Sequence, residues 1–327
     1  MANIPELVDW TLGNSSKISL KVTKLKWISE WLPGHFDYQV SISHGGEIFR
    51  GRGIDEKESI AFCKSVAEAF ERLAMNGFEN PWGTAAYPDY TGAAERAYHE
   101  LLGIDRALCH HYCKERFREL DLAVLPDKFD RKAIQKALSK HDIEIKLFEL
   151  RPARDARVCT MMAWSKRPRG AGEGFVNGYG CASDIRAAAG GAAYECLRTA
   201  AAVYVGGARP EQPFESLKRP GSSWYHFWAV QTKECQDYFH ENLAPLPGVS
   251  DRVAPEALES GDVPIERIDR LNSLFPDIPL VIAQAKPGKL IKPQFGVFYH
   301  DEAFVARLRG FCGRPVHPDF SVPHFYG

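Results

Sequence analysis

Lys64-Ser65-Val66-Ala67-Glu68-Ala69-Phe70-Glu71-Arg72 is the stretch on which the reading of this chain turns. Advancing about 100° per residue as a helix, it puts Phe62, Val66, Ala69, Phe70 and Leu73 on one side. Ser65, Glu68, Glu71 and Arg72 gather on the other. Two carboxylates three residues apart, beside a hydroxyl and a guanidinium, can hold Mg2+ through oxygen and meet phosphate through arginine. The same pattern also reads as an amphipathic helix with a solvated, salt-bridged face. Later helical segments carry Glu100 and Glu195 in similar settings, and that recurrence favours the first reading.

With 327 residues, 45% hydrophobic and 25% charged, the chain has the make-up of a soluble globular protein with a sizeable core. A formal net charge of −1 gives no global attraction to nucleic acid or anionic membrane, so neither is expected as a partner. Residues 1–20 lack the basic start, apolar run and cleavage site of a signal peptide, and no apolar run is long enough to cross a bilayer. A cytoplasmic location is expected. The eight cysteines show no disulfide spacing and are expected as thiols.

Upstream of the opening stretch the first sixty residues read as β-rich. Lys17 to Trp27 alternates, Phe36 to Ile42 alternates again, and His44-Gly45-Gly46 turns the chain into Glu47 to Arg50 as a hairpin. Gly51-Arg52-Gly53 reads either as a backbone approach to a ligand or as a strand-to-helix turn, the helix beginning at Asp55 or Lys57. Downstream, Asn80 to Ala86 is a loop or short strand, and a helix is expected over Ala93–Leu120, interrupted by Gly103. Cys109 and Cys113 share a face of it, but no second Cys/His pair is spaced to complete a zinc site, so buried thiols are expected.

Asp127 or Asp130 caps a short helix to Ser139, and Ile143–Leu150 and Val158–Trp164 are strands, the second buried. A glycine-rich connection (Gly170, Gly172, Gly174) leads to Phe175-Val-Asn-Gly-Tyr-Gly180, and Ser183 or Asp184 caps an alanine-rich helix from Ile185 to about Val203 that carries Glu195 and Arg198. Residues 210–221 form a linker or lid. An aromatic helix over Ser223–Leu243 reads as core or subunit interface, since Lys233 is the one lysine or arginine among its rings. Ile265–Leu274 is expected helical, Ile278–Gln284 and Phe295–Tyr299 as strands, and the tail from Pro315 as irregular. The turn Lys286-Pro-Gly-Lys289 is basic enough to meet phosphate.

Taken together, the acidic segments resemble the YcaO family. Its first motif, a glycine and then a helix reading Ser-x-x-Glu-x-x-Glu-Arg, is complete here as Gly53, Ser65, Glu68, Glu71 and Arg72. The second is partial: Gly83-Thr-Ala-Ala86, then Glu100-Leu-Leu-Gly103-Ile104-Asp105. The third is Gly178-Tyr-Gly180 with Glu195 and Arg198, and Pro279 to Gly288 resembles the family's late strand ending in Pro-Gly. Trp82, Tyr87, Gly103, Ile104 and Arg198 depart from the pattern, and the tail lacks the terminal Pro-x-Pro-x-Pro of many azoline-forming members.

The resemblance implies a single α+β domain over residues 1–327, with mixed and antiparallel sheets and packed helices lining an acidic nucleotide cleft. ATP and Mg2+ are the implied cofactors, with Glu68, Glu71, Glu100 and Glu195 toward the metal and Ser65, Arg72, Arg198 and Lys286 toward the nucleotide. The implied chemistry is activation of peptide amides to give azolines, thioamides or amidines. The implied partners are a ribosomally made precursor peptide, a separate leader-binding or E1-like protein and a second copy of the chain. The departures motivate an alternative, a YcaO-like scaffold that has lost catalysis. A dinucleotide-binding oxidoreductase is disfavoured: one Gly-x-Gly is a weak signal, and no acidic residue follows on a strand to read a ribose.

Overall fold

The computed structural model describes every residue except 1–3, 27, 80, 167–173, 208–213, 219–222, 247–253, 292–301, 319–321 and 326–327. The strand expected at Phe295–Tyr299, the glycines at 170 and 172, Trp27, Asn80 and most of the stretch 210–221 lie outside the described residues.

From the N-terminus come α1 (Ile4–Gly13), β1 (Lys21–Leu25), β2 (Phe36–His44), β3 (Glu47–Asp55), α2 (Glu58–Met75), β4 (Thr84–Tyr87) and α3 (Tyr90–Cys113). The middle of the chain forms β5 (Arg118–Leu120), α4 (Arg131–Lys140), β6 (Ile143–Leu150), β7 (Arg157–Ser165), β8 (Phe175–Ala182) and α5 (Ile185–Ala200). Then follow α6 (Ser223–Ala229), α7 (Lys233–Asn242), β9 (Ile265–Ile268), α8 (Arg270–Leu274), β10 (Val281–Ala285) and α9 (Glu302–Cys312). Among the described residues the strands form three antiparallel sheets, in the orders β1-β2-β3, β4-β10-β9 and β5-β6-β7-β8. The expected α+β class is met. The elements gather into two compact units, Met1–Leu101 with Val263–Lys286 and Leu102–Asp262 with Pro287–Gly327, a division that leaves the single-domain expectation open.

In the first unit the hairpin forms where the sequence places it. Gly45 and Gly46 take φ of +61° and +83°, the double left-handed turn that suits the twist of two antiparallel strands. The strand β3 does not stop at Gly51-Arg52-Gly53, as a strand-to-helix turn would require, but runs through to Asp55. The glycines are there because α2 lies directly on them: a Cβ at Gly51 would fall 2.0 Å from the Ser65 carbonyl oxygen, and one at Gly53 2.1 Å from that of Ala61. Phe70 anchors the other side of α2, edge-on to Trp10 at 5.8 Å and to Phe275 at 5.7 Å. The backbone clash predicts that Gly51→Ala costs about 3 kcal/mol in urea unfolding. A loss under about 0.5 kcal/mol would mean that the helix has room to move off.

The second unit repeats the arrangement. The helix α5 lies on β7 and β8, and Gly178 and Gly180 leave room for its backbone at 2.2 Å and 2.0 Å. Asp184 begins α5 by accepting the N–H groups of Arg186 and Ala187 at 2.9 Å, and Asp130 caps α4 in the same way. All eight cysteines are free thiols.

Several boundaries differ from expectation. The long helix ends at Cys113, where Lys114 turns to φ +53°, and Arg118–Leu120 becomes an edge strand on β6. The aromatic stretch is two helices, because Thr232 accepts the Cys235 N–H and starts the second. Ile265–Ile268 pairs with β10 as a strand, and only Arg270–Leu274 is helical. The helices α1 and α9 go unread in the sequence. Among the described residues no helix is long and apolar enough to cross a membrane.

Candidate functional site

Glu68 and Glu71 project from α2, and Glu100 from α3, into one cavity of about 300 Å³ in the first unit. Each carboxylate is held by a backbone N–H from a neighbouring stretch of the same unit. Arg52 donates to Glu68 Oε2 at 2.8 Å, Ala86 to Glu71 Oε2 at 3.1 Å and Gly83 to Glu100 Oε1 at 3.2 Å. Fixing one oxygen sets the plane of each group and aims the carboxylate without neutralising its charge. Leu7, Ile60, Ala67 and Leu280 form an apolar wall of the same cavity.

Three carboxyl groups so placed repel one another. Burial raises the proton affinity of Glu71 well above the usual carboxylate range, and the charges of Glu100 and Glu68 raise it further. The Ala86 N–H and Arg72 work against that rise without cancelling it. A site of this kind takes up either a proton or a cation.

Two cations that the sequence reading passes over also line the cavity. Arg96 stands one helical turn before Glu100 and lies 4.5 Å from the centre of the Tyr87 ring. Lys64 Nζ is 2.7 Å from Asp55. The spacing Arg96-x-x-x-Glu100 was the available signal, since residues four apart share a helix face. Tyr87, one of the departures from the family pattern, takes the space that a Cβ at Gly92 would need, 2.2 Å from its ring.

The remaining candidates sit elsewhere. Ser65 is buried against β3 and donates its hydroxyl to the Phe62 carbonyl at 2.7 Å, so it serves close packing there. Arg72 pairs with Glu68 one turn earlier and is more than half exposed. Lys286 Nζ lies 3.1 Å from Glu266 and 2.8 Å from the Gln284 side chain, outside the cavity lining. Glu195 and Arg198 belong to the second unit. Among the described residues no group of three or more His, Cys, Asp or Glu is placed to hold a metal ion.

Glu195 nonetheless has the setting of Glu68. Its Oε2 accepts the N–H of Tyr179 at 3.0 Å, and Tyr179 stands between Gly178 and Gly180 as Arg52 stands between Gly51 and Gly53. Donor and acceptor are sixteen residues apart in both copies. The chain thus uses twice a strand bared by two glycines, whose intervening N–H orients a helix carboxylate. Three residues further on the copies diverge: Glu71 in the first, Arg198 in the second. The second copy therefore carries one carboxylate and one cation.

No protein-family model and no curated protein matches the sequence. Solved structures do match. A YcaO from Methanopyrus kandleri bound with AMPPCP and Mg2+ aligns over 88% of this chain and 91% of its own, at 12% identity and a TM-score of 0.57. A heterocyclase in complex with substrate and cofactor aligns over 88% of this chain and 52% of its own, at 12% identity and a TM-score of 0.60. The E. coli microcin synthetase McbBCD complex contributes a chain aligned over 82% of this one and 88% of its own, at 9% identity and a TM-score of 0.52. The fold that the three acidic segments point to in the sequence is the fold the molecule adopts: the fold is YcaO-like.

Proposed function

We propose that this chain activates backbone amides of a ribosomally made peptide, using ATP and Mg2+ at the acidic cavity. The observation that carries the reading is the convergence of Glu68, Glu71 and Glu100 on one cavity, where burial and then the charges of the other two raise the proton affinity of Glu71. The donor set fits Mg2+, which is commonly bound by one or two carboxylates and completes its shell with water and phosphate oxygens. That no three His, Cys, Asp or Glu among the described residues are placed to hold a metal ion together is no obstacle, since two carboxylates suffice for such an ion. When bound, ATP with Mg2+ supplies the phosphoryl group that converts an amide oxygen from a poor leaving group into a good one.

The chain's own residues divide the remaining work. Glu68, Glu71 and Glu100 hold positive charge at the acidic end, and the backbone N–H groups of Arg52, Ala86 and Gly83 keep them aimed. Arg96 and Lys64 face the cavity as cations toward phosphate, and the wall of Leu7, Ile60, Ala67 and Leu280 suits an adenine face. Glu195, Arg198 and Lys286 join the proposal on the strength of the sequence resemblance alone. The fold neighbours support the reading, one bound with AMPPCP and Mg2+ and another in complex with substrate. McbBCD is a multi-subunit complex, in keeping with delivery of the peptide by a separate partner.

The test is ATP turnover measured with and without Mg2+ and with and without a candidate precursor peptide, followed by mass spectrometry of the peptide. Mg2+-dependent turnover stimulated by the peptide, with a mass change confined to the peptide backbone, is the expected result. Turnover indifferent to Mg2+ would overturn it. A second reading, a YcaO-like scaffold without catalysis, rests on the fact that each of the four glutamates already caps a backbone N–H. Calorimetry separates the two, since tight binding of Mg2+·ATP accompanied by hydrolysis excludes the scaffold.

A further inference from the structure

The second unit contains a cavity of about 380 Å³ that takes no part in the proposal above. Its walls carry Arg116, Arg118, Arg151 and Arg157, with Glu149 and His110 between them. The charges do not cancel. Arg118 and Arg157 share the single carboxylate of Glu149, which is nearly inaccessible to solvent and lies 3.2 Å from Arg157. Arg151 pairs with Glu115 at 2.8 Å. Among the described residues Arg116 is held by neutral groups, the carbonyls of Ala244 at 2.6 Å and Glu241 at 2.8 Å. Among the described residues four guanidinium groups thus meet two carboxylates, and two positive charges are left over.

The scaffold behind these arginines is rigid. His110 sits with Nδ1 2.9 Å from the Glu115 carbonyl and Nε2 2.8 Å from the Arg151 N–H. Nε2 must accept, so Nδ1 carries the proton and the ring is neutral; burial pushes its pKa down to about 3. It fixes the strand end from which Arg151 projects and adds no charge. Arg118 and Arg157 flank Glu149 from two different strands, β5 and β7, and are each close to half exposed. Each uses one terminal nitrogen on Glu149, and both side chains line the cavity. Stabilising one buried carboxylate needs one arginine; the second is unexplained by the fold.

We infer that this cavity binds a phosphoryl dianion, either free or carried on a small organic ester. Two excess charges match a dianion, and the planar guanidinium fork matches tetrahedral oxygens in pairs. The volume lies at the low end of small-molecule sites and exceeds the needs of bare phosphate. Leu150, Pro152 and Pro255 give the uncharged remainder of an ester an apolar surface.

The inference is independent of the amide-activation reading, and its test keeps the two apart by excluding divalent metal. Inorganic phosphate, ribose 5-phosphate, adenosine 5′-monophosphate and adenosine are each titrated calorimetrically into the full chain in EDTA. Saturable binding of the phosphorylated probes, and none of adenosine, is expected. Tighter binding of the esters than of inorganic phosphate identifies an ester as the ligand; equal binding identifies the free anion. Arg157→Gln leaves Glu149 its Arg118 partner and should weaken binding roughly tenfold or more. The triple variant Arg118→Gln/Glu149→Gln/Arg157→Gln removes the buried charge together with its partners and should abolish binding, with the fold checked by circular dichroism. No binding to the wild type at millimolar phosphate overturns the inference. So does binding that a folded Arg157→Gln protein retains in full.

Discussion

Glu71→Gln is expected to raise the melting temperature of the metal-free protein at pH 8 by roughly 2–4 °C, while abolishing the stabilisation conferred by Mg2+·ATP. Both effects have one cause. In the folded chain Glu71 is partly buried and faces the charges of Glu100 and Glu68, so its proton affinity is raised well above the ordinary range. The folded state then holds a proton that the unfolded chain has already released, and stability falls as pH rises between the two affinities. Glutamine carries no charge to repel and still offers an oxygen to the Ala86 N–H. Each pK unit relieved corresponds to about 1.4 kcal/mol, and about 1 kcal/mol moves the midpoint of a chain this size by a few degrees. The gain should vanish below the ordinary carboxylate range, where wild-type Glu71 is protonated in both states.

The same substitution removes a ligand from the proposed cation site. A ligand at about a hundred times its Kd stabilises by roughly 2.7 kcal/mol, and that increment should disappear in the variant. A protein more stable when empty and unresponsive when offered Mg2+·ATP is the signature of a site strained for function. Calorimetric melting across pH 5–9, with and without Mg2+·ATP, measures both quantities. A variant less stable than wild type across that range, or one with its Mg2+·ATP shift intact, rules out the strained cation site.

What the sequence made legible follows from which forces are local. The strand Ile143–Leu150 and the buried strand beside it show in their apolar runs, the hairpin in Gly45-Gly46, and α2 in its 3.6-residue periodicity. The acidic faces of α2 and α3 were legible because a carboxylate on a helix declares its direction through spacing alone. What stayed hidden depends on partners distant in sequence. Gly51-Arg52-Gly53 reads as a turn until a helix is known to rest on it. The resemblance between the surroundings of Glu68 and Glu195 is carried by two glycines and one carboxylate, too few identities to register as a repeat. Arg96 carries no local mark as a cavity cation, since the spacing that sets it on the face of Glu100 fits a surface ion pair equally well. Gly103, expected to mark close packing or a lost side chain, stands wholly buried with Cys181 Cβ at 3.8 Å from where its own Cβ would be, which is ordinary contact.

Asp105 illustrates the same limit and carries the other large expected effect: Asp105→Ala should destabilise the chain by about 3–5 kcal/mol. The sequence places it as the aspartate closing the second motif and says nothing of its partners. In the second unit it is fully buried and accepts from Arg307 Nε at 2.9 Å, Arg106 at 2.6 Å and the Ile291 N–H at 2.9 Å. Arg106 is itself inaccessible and reaches Glu256 at 2.8 Å, which Arg307 also grips. Removing Asp105 leaves two guanidinium groups with one carboxylate, and the charge of the wholly buried Arg106 is then only partly compensated. Burial alone would raise the proton affinity of Asp105, but Arg307 and Arg106 hold it below the usual carboxylate range. Its contribution is therefore present above the ordinary aspartate pKa and is lost as pH falls through the lower folded value. Asp105→Asn keeps the shape and removes the charge, so it should cost several kcal/mol at pH 7 and lose the acid-dependent part of unfolding. The pair-replacing variant Asp105→Leu/Arg307→Met should recover part of the loss, because the buried charge goes together with its partner. Urea unfolding of the three variants at pH 4 and pH 7 decides the matter: if Asp105→Ala costs less than about 1 kcal/mol, the cluster is wetted and its ion pairs contribute little.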